Sequence, residues 1–388
     1  MADHQFNAPP GWSVPHGWEP PPGWSPDPTW PPAPEGWQFW RTSEEPETHD
    51  DHRRGRSPKL VIAAAVLVVV AIAIVGGVVV LGRHSSKAPT SYAVVGTVAV
   101  GTNPVAVAVR AQANRVYVVN SQDASLSILD LAARTVIRTT PVGQTPNDVD
   151  ISQDSGTVYV SNWKDGTVSV LDAGGNLIDT VGVEEAPYAV AVDDSSDRVF
   201  VTNSGSNSVS VIDMMSNAVL ATIPVGTIPN DLALDDSGRR LFVANCGGTV
   251  SVINLETLSV DASLPTADGA CNLAVDAGTH HLFLANYETG ELTTYDTDNR
   301  TLVRSAPYSE QNGHGHYGVA SLAVSPDSKA LLVLADMKLS VIDSVTGELR
   351  SSIELGDGSA NGVAQDNQQK TIYVANGNLN SVLVLQRS

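Results

Sequence analysis

The stretch TPNDVDISQDSGTVYVSNWKDGTVSVLDAGGNLIDTVGV, residues 145–183, reads as four short β-strands separated by turns. Pro146–Ile151 alternates apolar and polar residues, and Gln153–Gly156 carries turn chemistry. Thr157–Val160 is β-branched and aromatic, Asn162–Gly166 turns, Thr167–Leu171 is a third strand, and Leu177–Val181 follows another turn as the fourth. Strands of about five residues bounded by Gly, Asn, Asp or Pro carry the expected strand and turn signals. One phrase in this stretch returns along the chain: Tyr117-Val-Val-Asn120, Tyr159-Val-Ser-Asn162, Phe200-Val-Thr-Asn203, Phe242-Val-Ala-Asn245, Phe283-Leu-Ala-Asn286 and Tyr373-Val-Ala-Asn376. The first five asparagines are 42, 41, 42 and 41 residues apart. The 90 residues between Asn286 and Asn376 leave room for one more unit, with Asp336 in the place of its asparagine. A fixed period of this length means stacked copies of one supersecondary unit, and four strands per unit read as a propeller blade. No sustained helical period follows residue 92.

Seven innermost strands are expected, beginning near Val105, Asn147, Tyr188, Asn230, Cys271, Ala320 and Asn361. The last unit stops after its third strand, Ser381–Leu385, and its missing fourth strand stands at the front. Val94–Gly101 leads into Thr102-Asn-Pro104 as Thr222–Gly226 leads into Thr227-Ile-Pro229. The expected fold is all-β: a seven-bladed propeller of four-stranded blades over residues 92–388, closed by its N-terminal strand joining the last blade. Closure buries two sheet edges that would otherwise recruit other chains. With its flanking Val-Gly-x-x-Pro and Ser-Val-x-Val-Ile-Asp, the repeated phrase resembles the YVTN-repeat β-propeller family over about residues 92–388. That resemblance implies the propeller fold and a surface or periplasmic setting, with varied roles. Blade six departs most from the pattern, at Asp336 and in the extra residues from Gln311 to Gly318.

Ahead of the repeats, Leu60–Gly82 is 23 residues without a charge, long enough to cross a bilayer as a helix. Arg53, Arg54, Arg56 and Lys59 precede it, whereas Arg83, His84 and Lys87 follow closely. The basic bias predicts residues 1–59 in the cytoplasm, a membrane anchor at 60–82, a linker at 83–91 and the propeller outside the cell. Fifty-nine preceding residues and so long an apolar run favour an uncleaved signal-anchor over a cleaved signal peptide. Six of the seven Trp and eleven of the 23 Pro lie in the first forty residues. Such a segment is expected to be extended and disordered. Pro21–Pro28 is similar to Pro-Gly-Trp modules that precede membrane helices in many actinobacterial proteins. The readings of this tail are a docking motif for a cytoplasmic partner or the inner leaflet, and a tail with no partner.

Seven of the 22 basic and nine of the 42 acidic residues precede residue 92, leaving the propeller 15 against 33 and a net charge of −18. That surface repels phosphates and excludes nucleic acid and anionic headgroups as its ligands. Solubility alone also accounts for much of this charge. The two cysteines, Cys246 and Cys271, fall at strand ends that share one face of neighbouring blades, and export permits oxidation, so a disulfide between blades four and five is expected.

On that same face, the loops into the innermost strands and out of the second strands converge around the channel. The ligand-binding candidates there are Asn147, Asp148, Tyr188, Asn230, Asp231, Asn272, Ser321 and Asn361, with Trp163 and Tyr287 directly after two motif asparagines. Carboxylates, amides and aromatics suit a sugar or a peptide; the plainer reading is that Asn-Asp after Pro makes the turn. The motif asparagines, one per blade, mark a fold requirement rather than catalysis. Asn bonds its own backbone and tolerates left-handed conformations in tight loops. His314 and His316, two residues apart in Gly313–Gly318, would share a divalent metal only if a carboxylate such as Asp336 approached. Two histidines are too few by themselves, a solvent-exposed loop is the simpler reading, and no other cofactor is called for. No nucleophile elbow, zincin, haem-attachment or phosphate-loop motif occurs. The sequence therefore reads as an extracytoplasmic binding platform for an envelope protein, peptide or glycan. The alternative is a lactonase-like propeller hydrolase or lyase with its site at the channel mouth.

Overall fold

The computed structural model describes residues 4–6, 40–42, 92–235, 237–308, 319–325, 329–366, 368 and 370–387. Residues 84–388 form one compact unit, separate from residues 1–83. In the N-terminal unit, His4–Phe6 and Trp40–Thr42 pair antiparallel, with Phe6 opposite Trp40. This pairing is not among the expectations for the tail; eleven of its prolines fall between the two strands in sequence and none in them. Among the described residues no helix is long and apolar enough to cross a membrane. The expected anchor at 60–82 and linker at 83–91 lie outside them, as do His314 and His316.

The second unit is a ring of seven four-stranded antiparallel sheets. The innermost strands are Pro104–Arg110, Pro146–Ile151, Pro187–Asp193, Pro229–Asp235, Ala270–Asp276, Val319–Ser325 and Ala360–Asp366, each starting one residue before its expected position. The seventh sheet is completed by Tyr92–Ala99, which pairs with Ser381–Arg387 in the register Tyr92↔Arg387 to Ala99↔Ser381. The N-terminal strand therefore closes the ring.

Each sheet has two apolar faces, and the hydrophobic core is divided accordingly into clusters between neighbouring blades. Tyr117, Val119, Leu126 and Ile128 of blade one pack on Val149, Val158, Val160 and Leu171 of blade two. Corresponding clusters join every successive pair. The closing cluster sets Val98, Val382 and Val384 of blade seven against Val107, Val116 and Val118 of blade one. The aromatic that opens the repeated phrase sits at the centre of this packing: Tyr117, Tyr159, Phe200, Phe242 and Phe283 are wholly buried.

The repeated asparagine plays another part than the one expected. It ends the second strand, and none of the six lies in the left-handed region. In blades one to four its Nδ2 donates to two hydroxyls of the third strand, as Asn162 does to Thr167 Oγ1 and Ser169 Oγ at 3.0 Å each. Asn120, Asn203 and Asn245 repeat the pattern with Ser125 and Ser127, Ser208 and Ser210, and Thr249 and Ser251. The amide is a buried clamp between two strands. Blades five and seven lack one of the two hydroxyls, having Glu291 and Leu383 in their places. There Nδ2 turns to the loop above, Asn286 to Asp268 O at 2.8 Å and Asn376 to Asp357 O at 3.0 Å.

The glycine of Val-Gly-x-x-Pro covers the clamp: a Cβ at Gly143 would come within 2.5 Å of the Asn162 amide carbon. In blade six the register Val319↔Ala335 matches Pro146↔Asn162, so Ala335, not Asp336, holds the asparagine position. Asp336 and Met337 instead form a two-residue hairpin turn with φ of 47° and 57°, which shortens the loop and removes the need for a clamp. The aspartates that end the third strands also hold turns. Asp343 Oδ1, for example, accepts the Val345 and Thr346 amides at 2.9 and 2.8 Å.

Two outcomes follow from this architecture. Deleting residues 92–99 exposes a sheet edge and opens the closing core cluster, so a calorimetric scan of the shortened protein will show loss of the single cooperative transition. Asn162→Ala removes the bonds to the half-buried Thr167 and the buried Ser169 hydroxyls and will cost about 2 kcal/mol in urea unfolding, whereas Asp336→Asn, in an exposed turn, will cost little.

Candidate functional site

The innermost strand of each blade has one edge toward its own sheet and one toward the axis, where its N–H groups need partners. Each begins with a bulge that steps the register, as between Pro146 and Asp148. The bulge turns the second and third residues toward the axis and the next blade. A cavity of about 660 Å³ runs along this axis. Asn147, Asp148, Tyr188, Asn230, Asp231, Asn272, Ser321 and Asn361 all line it, so one surface brings together eight residues expected from six repeats. Trp163 and Tyr287 are exposed in second-to-third loops on the same face and do not line the cavity.

The Asn-Asp pairs that follow proline do more than turn the chain. They stitch one blade to the next. Asp148 accepts Val149 N on Oδ1 at 2.8 Å and Val190 N of blade three on Oδ2 at 2.9 Å. Asp231 does the same with Leu232 N and Leu273 N of blade five, both at 2.9 Å. The amides work one residue earlier: Asn230 Nδ2 donates to Cys271 O at 3.3 Å, and Asn361 Nδ2 to Pro104 O of blade one at 2.9 Å. Asn147 Nδ2 reaches Tyr188 O at 3.5 Å, and Ser161 Oγ donates to the same carbonyl at 2.6 Å. At the seam of the ring, Gly362 lets the backbones meet, since a Cβ there would lie 2.8 Å from Val105 O.

Sequence reasoning missed Asp150, which repeats the stitch two residues on: it accepts Ile151 N and Val192 N at 2.8 Å each. The signal was present in the alternation Asn147-Asp-Val-Asp150, which puts Asp148 and Asp150 on one side of the strand.

Enclosure by the neighbouring blade dominates the titration of these carboxylates. It pushes Asp148 and Asp150 up to about 7 and Asp231 up to about 6, against the lowering effect of the amides they accept. The negative charge of Asp231 adds to the rise at Asp148. The described residues hold no group of three or more His, Cys, Asp or Glu side chains placed for a metal. Asp336 is exposed in its turn, and the histidines once paired with it lie outside the described residues.

Cys246 and Cys271 are joined in a disulfide, Cα–Cα 4.7 Å, between blades four and five beside the Asn230–Cys271 stitch. The staple stands where the sequence reading put it.

No protein-family model matches the chain, and no curated protein matches it. Among solved structures it is similar to Kuenenia stuttgartiensis hydrazine synthase, with a TM-score of 0.65 and 18% identity over 74% of this chain and 96% of that one. At that identity the likeness is one of fold. It supports a seven-bladed propeller and carries nothing about the chemistry of the axis.

The raised carboxylates set the sign of the pH dependence. Between about pH 4 and pH 7 the folded chain holds protons that the unfolded chain releases, so stability rises as pH falls through 7 and 6 and levels off near 4. A thermal melt at pH 5 will therefore lie above one at pH 8, and Asp150→Asn will reduce the difference. Replacing both cysteines by serine will lower stability by about 3 kcal/mol in the loop-entropy picture, read by denaturant unfolding.

Proposed function

We propose that this chain is a membrane-anchored propeller whose channel mouth binds a ligand of the cell envelope. In this reading residues 60–82 anchor it, residues 1–59 lie in the cytoplasm and the ring faces outward. The observation that supports binding is the axial cavity, roomy enough for a small ligand or a chain end and lined by polar side chains that several blades deliver to one place. The disulfide accords with an oxidising compartment. A second reading, a hydrolase or lyase at the same mouth, draws on Asp148 and Asp231, which titrate close to neutral pH as general acids and bases do.

One variant tests both. Ser321 lines the cavity, and Ser321→Trp fills part of it from a strand edge. Full-length protein and variant, matched in melting temperature, would be exposed to wall glycan fragments and to envelope peptides. The platform reading expects retention by the wild type and loss in the variant. Equal retention by the two moves binding away from the axis, and turnover of a lactone or ester substrate that the variant abolishes decides for the enzyme. Alkaline-phosphatase fusions after residues 59 and 91 check the orientation: activity only in the second is expected.

A further inference from the structure

The hydrogen-bond polarity of the axial cavity separates ligand classes. Its lining contains two carboxylates, Asp148 and Asp231, and no Lys, Arg or His. The amides contribute in the same sense. Asn147 and Asn230 each give one Nδ2 hydrogen to the carbonyl of the next blade, and Oδ1 takes no part in that stitch. Each carboxylate oxygen of Asp148 and Asp231 accepts one backbone amide and keeps a further lone pair. The cavity thus offers carboxylate and amide oxygens beside its hydroxyl and amide donors, and no cationic side chain lines it.

The surroundings of the mouth agree, through residues that take no part in the stitching. Among the described residues, the loops on this face carry Asp123, Asp165, Glu184 and Glu185 over blades one to three. Asp268, Glu288, Asp336 and Asp357 continue the series over blades five to seven, and the one Lys or Arg among the described residues of these loops is Lys164. None of the eight forms an ion pair within the described residues. Among the described residues, the loops on the opposite face are closer to balance, with Arg134, Arg239, Arg300, Lys329 and Lys370 against seven carboxylates. Among the described loop residues, the excess of carboxylate over cation is therefore greater around the cavity. Trp163, two residues before Asp165, and Tyr287, whose hydroxyl donates to Glu288 at 3.3 Å, are exposed on this face and offer aromatic surfaces to a cation.

We propose that the axial cavity takes an organic cation, a ligand presenting a primary ammonium or guanidinium, with Asp148, Asp231 and the Oδ1 atoms of Asn147 and Asn230 as its acceptors. The assignment rests on the binding reading above and narrows it. A cation favours the charged carboxylates that enclosure otherwise disfavours, which a neutral sugar does not do, and an anion would be repelled at the acidic mouth. A free polyamine and the basic side chain of a peptide share this chemistry.

Isothermal titration of the full-length protein in detergent distinguishes the sources and tests the class. The probes are spermidine, tri-lysine, tri-glutamate and a neutral N-acetylglucosamine trimer. Binding of spermidine or tri-lysine is expected, and of neither other probe; whichever cation binds identifies the source. The Asp148→Asn/Asp231→Asn double variant should weaken that binding about tenfold or more, while Glu256→Gln/Glu348→Gln on the opposite face leaves it unchanged. Because Asp148 and Asp231 also stitch blades, the exposed pair Glu184→Gln/Glu185→Gln serves as the second variant and should weaken binding about twofold to fivefold without touching the ring. Cation binding that ignores both mouth variants overturns the axial site. Binding of the neutral trimer but not the cations overturns the ligand class while the platform survives. If neither cations nor envelope fractions bind, the platform reading fails with it.

Discussion

A four-stranded sheet with an apolar residue on each side of every inner strand cannot bury itself. Each blade of this protein has two such faces, and each face becomes a core only when the neighbouring blade is laid on it. The stability of any one blade is therefore shared with two others, and the ring has no natural place to stop short of closure. That is why the strand Tyr92–Ala99 matters beyond its length. It supplies the last sheet edge, and through Val98 it completes the cluster between blades seven and one. The aromatic residues of the repeated phrase, wholly buried in five blades, are the largest side chains in these interfaces.

Stacking leaves polar work at both ends of the blades, and the chain handles it with short side chains at fixed places. The asparagine clamp binds the second strand to hydroxyls of the third, and the glycine above it admits the loop that leads to the axis. At the axis, carboxylates and amides of blades two and four satisfy backbone groups of blades three and five. The same side chains then form the wall of the cavity. Fold and site are consequently made of one set of side chains, and that set holds carboxylates and amides with no cationic group among them.

The reading of individual residues shows where sequence logic held and where it failed. Blade number, strand order, closure and the Cys246–Cys271 staple were legible because each depends on spacing, and a period of about 42 residues leaves little freedom in how copies stack. The convergence of Asn147, Asp231, Asn272 and Asn361 on one cavity was legible for the same reason: equivalent positions of a ring face its axis. The role of the motif asparagine was not. Its partners are hydroxyls five and seven residues further on in blades one to three, and four and six in blade four, across a strand pairing, and only the register brings them to about 3 Å. The same register moves the asparagine position of blade six to Ala335, because a two-residue hairpin replaces the longer loop. Asp150 escaped notice because its partner, Val192 N, is 42 residues away in the next blade.

By itself, then, the sequence determined the architecture: periodicity, β-branched strands and turn residues act locally, and their repetition leaves a closed ring of seven blades as the one arrangement that buries every face. It also determined which residues would meet at the axis. Only the tertiary structure decided what those residues do there. Whether an amide turns its nitrogen or its oxygen to the cavity, and whether a carboxylate titrates near 4 or near 7, depends on the backbone groups of the adjoining blade. Those groups lie a full repeat away in the chain and come within hydrogen-bonding distance only when two blades are stacked.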